Sequence, residues 1–367
     1  MKSKLYFDQY LLKVNVVSIV FLLIFGIFLV SSATAVESQR IYSDSFYMIK
    51  NHLLAVLIGI FVFFVIKKID YLKIIYFTNP LILSMIVVLF FLFTYGDNVF
   101  GSSRWLDLGF IRIQPSELAK PIIMLWTAKQ LSNNDIIQKD IHRVWKAIFL
   151  PGLATVLIFL QPDFGTAATV SFIVLIQMMF SKVKLVYPLI ISFVGSLIAS
   201  IFVTSEFYRV ERLRVWSERI CDQGQELLGA CFQVHQSRIA ISSGGMFGLG
   251  PGTSRARWGS LPSAYSDFIS AIIGEEYGFI GYIIFIFILS VLLLSIFIIA
   301  IREKNEFKRI FISGLGAWIL FQSILNLGAS VYLLPITGIV LPFVSYGGTA
   351  MVSLFVALGI MYSKVYE

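Results

Sequence analysis

The stretch SAYSDFISAIIGEEYGFIGYIIFIFILSVLLLSIFIIAI, residues 263–301, decides the fold. From Glu276 to Ile301 it is dominated by Ile, Leu, Phe and Val. As a helix rising about 1.5 Å per residue this run spans roughly 37 Å, enough to cross a hydrocarbon core of about 30 Å. Its apolar residues are continuous and do not alternate with period two, which predicts a helix in place of a barrel strand. Three carboxylates, Asp267, Glu275 and Glu276, stand at its entrance. Charged groups deep in a bilayer are costly, so the acids belong near one membrane boundary or in a protein interior.

The rest of the chain repeats this chemistry. Of 367 residues 58% are hydrophobic and 15% aromatic, while the 14% that are charged amount to about half the usual share for a soluble domain. Mean hydropathy is +0.85. Apolar runs recur near residues 12–35, 48–66, 74–94, 116–133, 147–161, 164–181, 184–204, 268–300, 310–334 and 340–363. The expected architecture is therefore all-α: a polytopic membrane protein of about ten transmembrane helices forming one domain over residues 1–367. A large extracytoplasmic loop, about 205–266, joins helices seven and eight. The first apolar run is long enough to span and no short cleavable signal is expected before it.

Orientation follows from the cations. With the amino terminus inside, the inner segments hold Lys2, Lys4 and Lys13, then Lys67, Lys68 and Lys73, then Lys129, Lys139, Arg143 and Lys146, then Lys182 and Lys184, then Arg302, Lys304, Lys308 and Arg309, and finally Lys364. The short outer loops hold Arg40, Arg104 and Arg112. This asymmetry puts both termini in the cytoplasm. The net charge of +8 is thus mostly topological, and with no basic face to bind it no nucleic acid is expected as a partner.

The long loop breaks the pattern with Arg209, Arg212, Arg214, Arg219, Arg238, Arg255 and Arg257 on the outside. Anionic lipid headgroups are one account of that surface, and a phosphorylated ligand is the other. Its GGMFGLGPGTSRARWG (244–259) offers a flexible backbone with N–H groups for a ligand, although taken alone a plain turn is the better reading. At the same outer level GSSRWLDLGFIRIQPSELAK (101–120) places Glu117 and Lys120 on one helical face, as a local ion pair or as cavity-lining groups. QPDFGT (161–166) carries Asp163 at the tip of a turn, and LLPITGIVLPFVSYGGTAM (333–351) has the prolines and paired glycines of a broken segment.

Taken in this order and spacing, these stretches, with QSRIAISSGGMFGLGPG and LPSAYSDFISAIIGEEYG, resemble the SEDS family of bacterial cell-wall polymerases, the RodA and FtsW proteins. The resemblance covers essentially the whole chain. It implies a ten-helix peptidoglycan glycosyltransferase that extends β-1,4 glycan strands from lipid II outside the cytoplasmic membrane and releases undecaprenyl pyrophosphate. The family stretch close to LPEAHTDFIFA matches LPSAYSDFISA and carries the essential carboxylate to Asp267, with Ser263, Tyr265 and Ser266 where Glu, His and Thr are common.

Asp267 is the candidate general base for the acceptor hydroxyl, a role that typically contributes about 10²- to 10⁴-fold. The expected substrate-binding set is Glu117, Lys120, Asp163, Arg209, Arg212, Gln236, Ser237, Arg255, Arg257 and Ser345. A divalent cation, Mg2+ or Mn2+, would assist the departing pyrophosphate. Glu275 and Glu276 are expected to cap or pair within the bundle. The chain carries no Ser-x-x-Lys in an extracytoplasmic fold, so a class B penicillin-binding protein is the expected transpeptidase partner, with other elongation or division proteins and membrane lipids.

A lipid II flippase or a non-catalytic scaffold are the alternatives. Clustering of the polar motifs on one side favours the enzyme. The elongation and division roles are not separated by the sequence, although GLGPGTSRARWGSLP leans toward division. Cys221 and Cys231, the only cysteines, lie in the outer loop and are a disulfide candidate, against a reading as two small buried apolar side chains.

Overall fold

The computed structural model describes residues 2–95, 104–107, 112–132, 141–204, 214–223 and 231–364. Eleven helices of ten or more residues occur among them: α1 (Lys2–Tyr42), α2 (Tyr47–Lys68), α3 (Tyr71–Tyr95), α4 (Pro115–Leu131), α5 (Ile141–Leu160), α6 (Phe164–Met179), α7 (Val186–Thr204), α8 (Phe232–Ser243), α9 (Ile269–Arg302), α10 (Glu306–Ser330) and α11 (Gly348–Met361). A two-stranded hairpin pairs Leu106 with Ile113 and Asp107 with Arg112. The all-α membrane fold is as expected. Helices occupy all ten predicted runs, and five of them, α1, α2, α3, α9 and α10, are by themselves long and apolar enough to span a bilayer.

Burial separates the helices into a hub and a rim. The most apolar window of α10 is 72% buried, whereas those of α2 and α3 are 22% buried and turn Leu57, Phe61, Val87 and Phe90 outward. The hub helix α10 starts where Asn305 accepts from the Lys308 amide at 3.1 Å, an N-cap that satisfies an otherwise orphaned donor. It packs on α4, α6 and α9, while α2 packs on α11 and α1 on α9.

Contacts fix which ends share a face. Asn305 donates to the Tyr71 hydroxyl at 3.0 Å, Tyr362 donates to Asn15 at 2.8 Å, and Asp70 bridges to Lys364. The start of α1, the α2–α3 and α9–α10 connections and the end of α11 therefore lie on one side. The sequence motifs lie on the other.

Two boundaries differ from the sequence expectation. The run 310–334 stops being helical at Ser330, and the run 340–363 is helical only from Gly348, because residues 331–347 form a non-helical segment with Pro335, Pro342 and Gly347 in it. Its freed backbone groups find partners inside the protein: Asn326 donates to the Ile339 carbonyl at 2.8 Å and the Leu341 amide donates to Ser345 Oγ at 2.8 Å. The outer loop in turn contains a helix, α8, that the weakly periodic sequence FQVHQSRIAISS did not announce.

Helix α9 is kinked at Gly278, whose φ of 67° and ψ of −168° are non-helical. The kink exposes carbonyls and amides that the glycine-rich loop takes up. Leu249 and Gly250 donate to the carbonyls of Glu275 and Glu276 at 3.0 Å each, and the amides of Phe279 and Ile280 donate to Gly245 and Met246 at 2.9 and 3.1 Å. A Cβ on Gly248 would lie 2.2 Å from the Glu276 carbonyl oxygen, so glycine is required for the approach. The loop amides expected to be available to a ligand are in part committed to this repair.

Cys221 and Cys231 form a disulfide, which decides between the two readings of the cysteines. The bridge closes a separation of ten residues and is buried with Val215, Val234 and Tyr332. In the loop-entropy account a closure of this size stabilises by roughly 2 to 3 kcal/mol. Reduction should therefore lower the melting temperature of the purified chain in detergent, and a melt unchanged by dithiothreitol would show that the loop holds without its bridge.

Candidate active site

Asp267 ends the short segment that leads into α9 and is half-buried. Its backbone is held at two points: its amide donates to the Ser263 carbonyl at 3.0 Å, and its carbonyl accepts from Asn326 of α10 at 2.9 Å. The same amide group of Asn326 donates to Ile339, which ties Asp267 to the segment 331–347. Two more bonds join the segments, from Ser345 Oγ to the Ser266 carbonyl at 2.6 Å and from the Tyr346 amide to the Tyr265 carbonyl at 3.0 Å. Ser345 thus acts on the segment bearing Asp267. Gly338, at φ 70°, lies against the carboxylate: a Cβ there would be 3.5 Å from Oδ2.

Aromatic rings flank this acid. Tyr265 and Tyr346 meet edge to face with centroids 5.6 Å apart, and the buried His52 ring lies 5.7 Å from Tyr346. Burial, together with the nearby carboxylates of Glu37 and Asp267, raises the Tyr265 phenol above its ordinary value. Burial, with Tyr42, Tyr265 and Tyr47 around it, pushes Tyr346 up to about 12. Both phenols are consequently neutral hydroxyls at physiological pH.

A second group of expected residues reaches the same place from α4 and α6. Asp163 caps α6, accepting from the Thr166 amide at 3.3 Å, and also accepts from Gln114 and Ser116 at the start of α4 at 3.1 Å each. The Gln114 amide donates to Thr349 in the first turn of α11 at 3.2 Å. Three helix N-termini, each the positive end of its dipole, therefore converge. The link to Asp267 runs through residues 337–339, since a Cβ on Gly165 would meet the Ile339 side chain at 2.5 Å and the Thr337 carbonyl oxygen at 3.3 Å, on either side of Gly338.

Lys120 and Glu117 form a pair at 2.6 Å, with Lys120 fully buried and its ammonium 4.8 Å from the centroid of the Trp318 ring. The structure thus encloses Lys120 between Glu117 and Trp318. The remaining expected residues are dispersed. Arg257 donates to Ser32 at 3.3 Å, and Ser32 donates to Glu276 at 2.9 Å, so this arginine sits over the second acid of α9. Arg255 is exposed, and its amide joins Ser254 Oγ and the Ala256 amide in donating to Glu275. Glu275 is accordingly the anchor for residues 254–256, the structural role its position suggested. Ser237 donates to the Ser330 carbonyl at 2.7 Å, and Gln236 is half-buried beside it on α8. Arg209 and Arg212 lie outside the described residues. Of the other loop arginines, Arg214 pairs with Glu218, while Arg219 and Arg238 both pair with Asp222.

Asn326, which bonds to both Asp267 and Ile339, escaped the sequence reading, although an amide inside an apolar helix carried a usable signal, because a buried polar group demands partners.

Comparison with known proteins places these features in a family. Residues 13–366 match the FtsW, RodA and SpoVE family model, described as a cell cycle protein. The chain is 30% identical over 348 residues to a probable peptidoglycan glycosyltransferase FtsW of Wigglesworthia glossinidia brevipalpis, covering 94% of this chain and 90% of that one. It is 31% identical to stage V sporulation protein E of Bacillus subtilis, with 93% of each covered. In fold it is similar to a chain of a peptidoglycan synthase complex described as coordinating polymerization and crosslinking, with a TM-score of 0.74 at 24% identity and 95% of each chain covered. The rod shape determining protein RodA of Thermus thermophilus gives 0.66 at 24% identity, covering 95% of this chain and 94% of that one. The resemblance read from the motifs is borne out over nearly the full length, and the chain belongs to the FtsW, RodA and SpoVE family of cell cycle proteins.

Proposed function

We propose that this chain is a peptidoglycan glycosyltransferase that joins lipid II units into β-1,4 glycan strands, with Asp267 as general base. The observation that carries the reading is a half-buried carboxylate fixed by backbone bonds from two segments, beside converging helix N-termini. The acceptor 4-hydroxyl gives its proton to Asp267 as its oxygen attacks the anomeric carbon of the donor. The bond from that carbon to the pyrophosphate oxygen breaks, and the lipid pyrophosphate leaves with the electron pair. The exposed Arg255 is a group suited to the charge on that leaving group.

Among the described residues no three of His, Cys, Asp and Glu come together as a metal cage, so the donor set does not fit a resident cation. A Mg2+ or Mn2+ ion would be carried in on the substrate's phosphates, and chelation by EDTA should then slow polymerisation without changing the melting temperature.

The membrane is the bacterial cytoplasmic membrane in this reading, with both termini inside. Lys67, Lys68, Lys73, Arg302, Lys304, Lys308 and Lys364 lie on or beside the face shared by the chain ends, in keeping with the positive-inside preference. Lipid II in the outer leaflet is the substrate, and a class B penicillin-binding protein is the partner. That protein should co-purify with the chain and raise its rate, while an equally active chain that binds no such protein would count against the pairing. Proteoliposomes with lipid II test the reading against a flippase. Conversion of outer-leaflet lipid II to polymer is expected; transbilayer movement with no polymer would favour the transporter.

A further inference from the structure

Tyr332 follows the end of α10, is buried, and has a φ of 63°. A bulky residue in that left-handed region is uncommon and persists where its surroundings over-determine it. Among the described residues its hydrogen bonds beyond its own turn are to the disulfide-linked element. Its hydroxyl donates to the Val215 carbonyl at 2.7 Å, its carbonyl accepts from Arg219 at 2.7 Å, and the Arg219 guanidinium lies 4.8 Å from its ring centroid. Its ring packs with Val215, Val234 and the Cys221–Cys231 bridge. Neighbouring bonds run the same way, from Trp216 to the Leu333 carbonyl at 3.3 Å and from Ser237 to the Ser330 carbonyl at 2.7 Å.

The segment clasped at residues 330–333 continues through Ile336, which packs on the same cluster, to Gly338 against the Asp267 carboxylate. We propose that Tyr332 is a positioning residue that couples the disulfide-braced outer element to Asp267. The proposal rests on the reading of Asp267 as the base. With the bridge intact, the clasp fixes the entry of the segment whose far end bounds the carboxylate. With it open, Tyr332 loses the packing that holds its backbone, and Gly338 and Ile339 lose their fixed register against Asp267. Displacements on the order of 1 Å at a reacting group can cost about 10²-fold in rate, so a partial loss of this kind is large enough to read.

The test is lipid II polymerisation by the full chain, with kcat and KM measured before and after dithiothreitol. The reagent gives two electrons and two protons to the bridge, which becomes two thiols, while the reagent closes to its own cyclic disulfide. Tyr332→Gly keeps the backbone conformation accessible and removes the ring and hydroxyl contacts of the clasp; its kcat should fall about tenfold with little change in KM. The reduced wild type should fall by a similar factor, and reduction of Tyr332→Gly should add nothing, because both changes cut the same link. Tyr332→Phe, which loses only the bond to Val215, should fall less. Cys221→Ser/Cys231→Ser should match the reduced wild type and ignore the reagent.

Losses that multiply in reduced Tyr332→Gly, a wild-type rate indifferent to reduction, or rate losses that merely track melting temperature would each overturn the coupling. These outcomes are separate from failure of the base assignment, which would show as normal polymerisation by Asp267→Asn in either redox state.

Discussion

Asp267→Asn is expected to insert and fold normally and to lose about 10²- to 10⁴-fold in lipid II polymerisation. The substitution keeps the size of the side chain and both backbone bonds, to Ser263 and from Asn326, and removes only the basic oxygen. A melting temperature equal to that of the wild type, together with the lost rate, would assign the effect to chemistry. Turnover near the wild-type value would remove Asp267 from the mechanism and return attention to Glu276, the acid beneath Arg257 and Ser32.

Lys120→Met is expected to have the largest effect on stability, about 3 to 5 kcal/mol, because it strands a buried carboxylate. Glu117 Oε1 receives the Lys120 bond and Oε2 has no hydrogen-bond partner among the described residues, so the variant leaves Glu117 without the contact that offsets its burial. Glu117→Gln combined with Lys120→Met should recover most of the melting temperature and, given how completely Glu117 and Trp318 enclose the lysine, most of the activity as well. A double variant that regains stability and still fails to polymerise would give Lys120 a direct role toward the substrate's phosphates.

The apolar runs were legible because a spanning helix leaves little choice of residues, and Asp267 was singled out from the three acids at the mouth of one run by the resemblance of LPSAYSDFISA to the family stretch. Glu275 was read correctly as structural, but its partners, residues 254–256, were not visible, since they depend on how a loop folds back over α9. The glycine-rich loop shows why a motif under-determines its use. Close approach to a ligand and close approach to a broken helix impose the same requirement, and the kink at Gly278 takes the second. Asn326 signalled a need for partners without saying which, since an asparagine within a helix reads alike whether it bonds one neighbour or two segments, and a positive φ leaves no mark on Tyr332.

The central claim is that this chain forms the glycosidic bond itself. The most direct measurement is strand synthesis by the purified chain from purified lipid II, with the partner transpeptidase added and its crosslinking blocked by a β-lactam. The account predicts uncrosslinked β-1,4 strands with the wild type and none with Asp267→Asn. Strands of equal length and yield from Asp267→Asn, or no strands from the wild type with its partner present, would contradict it.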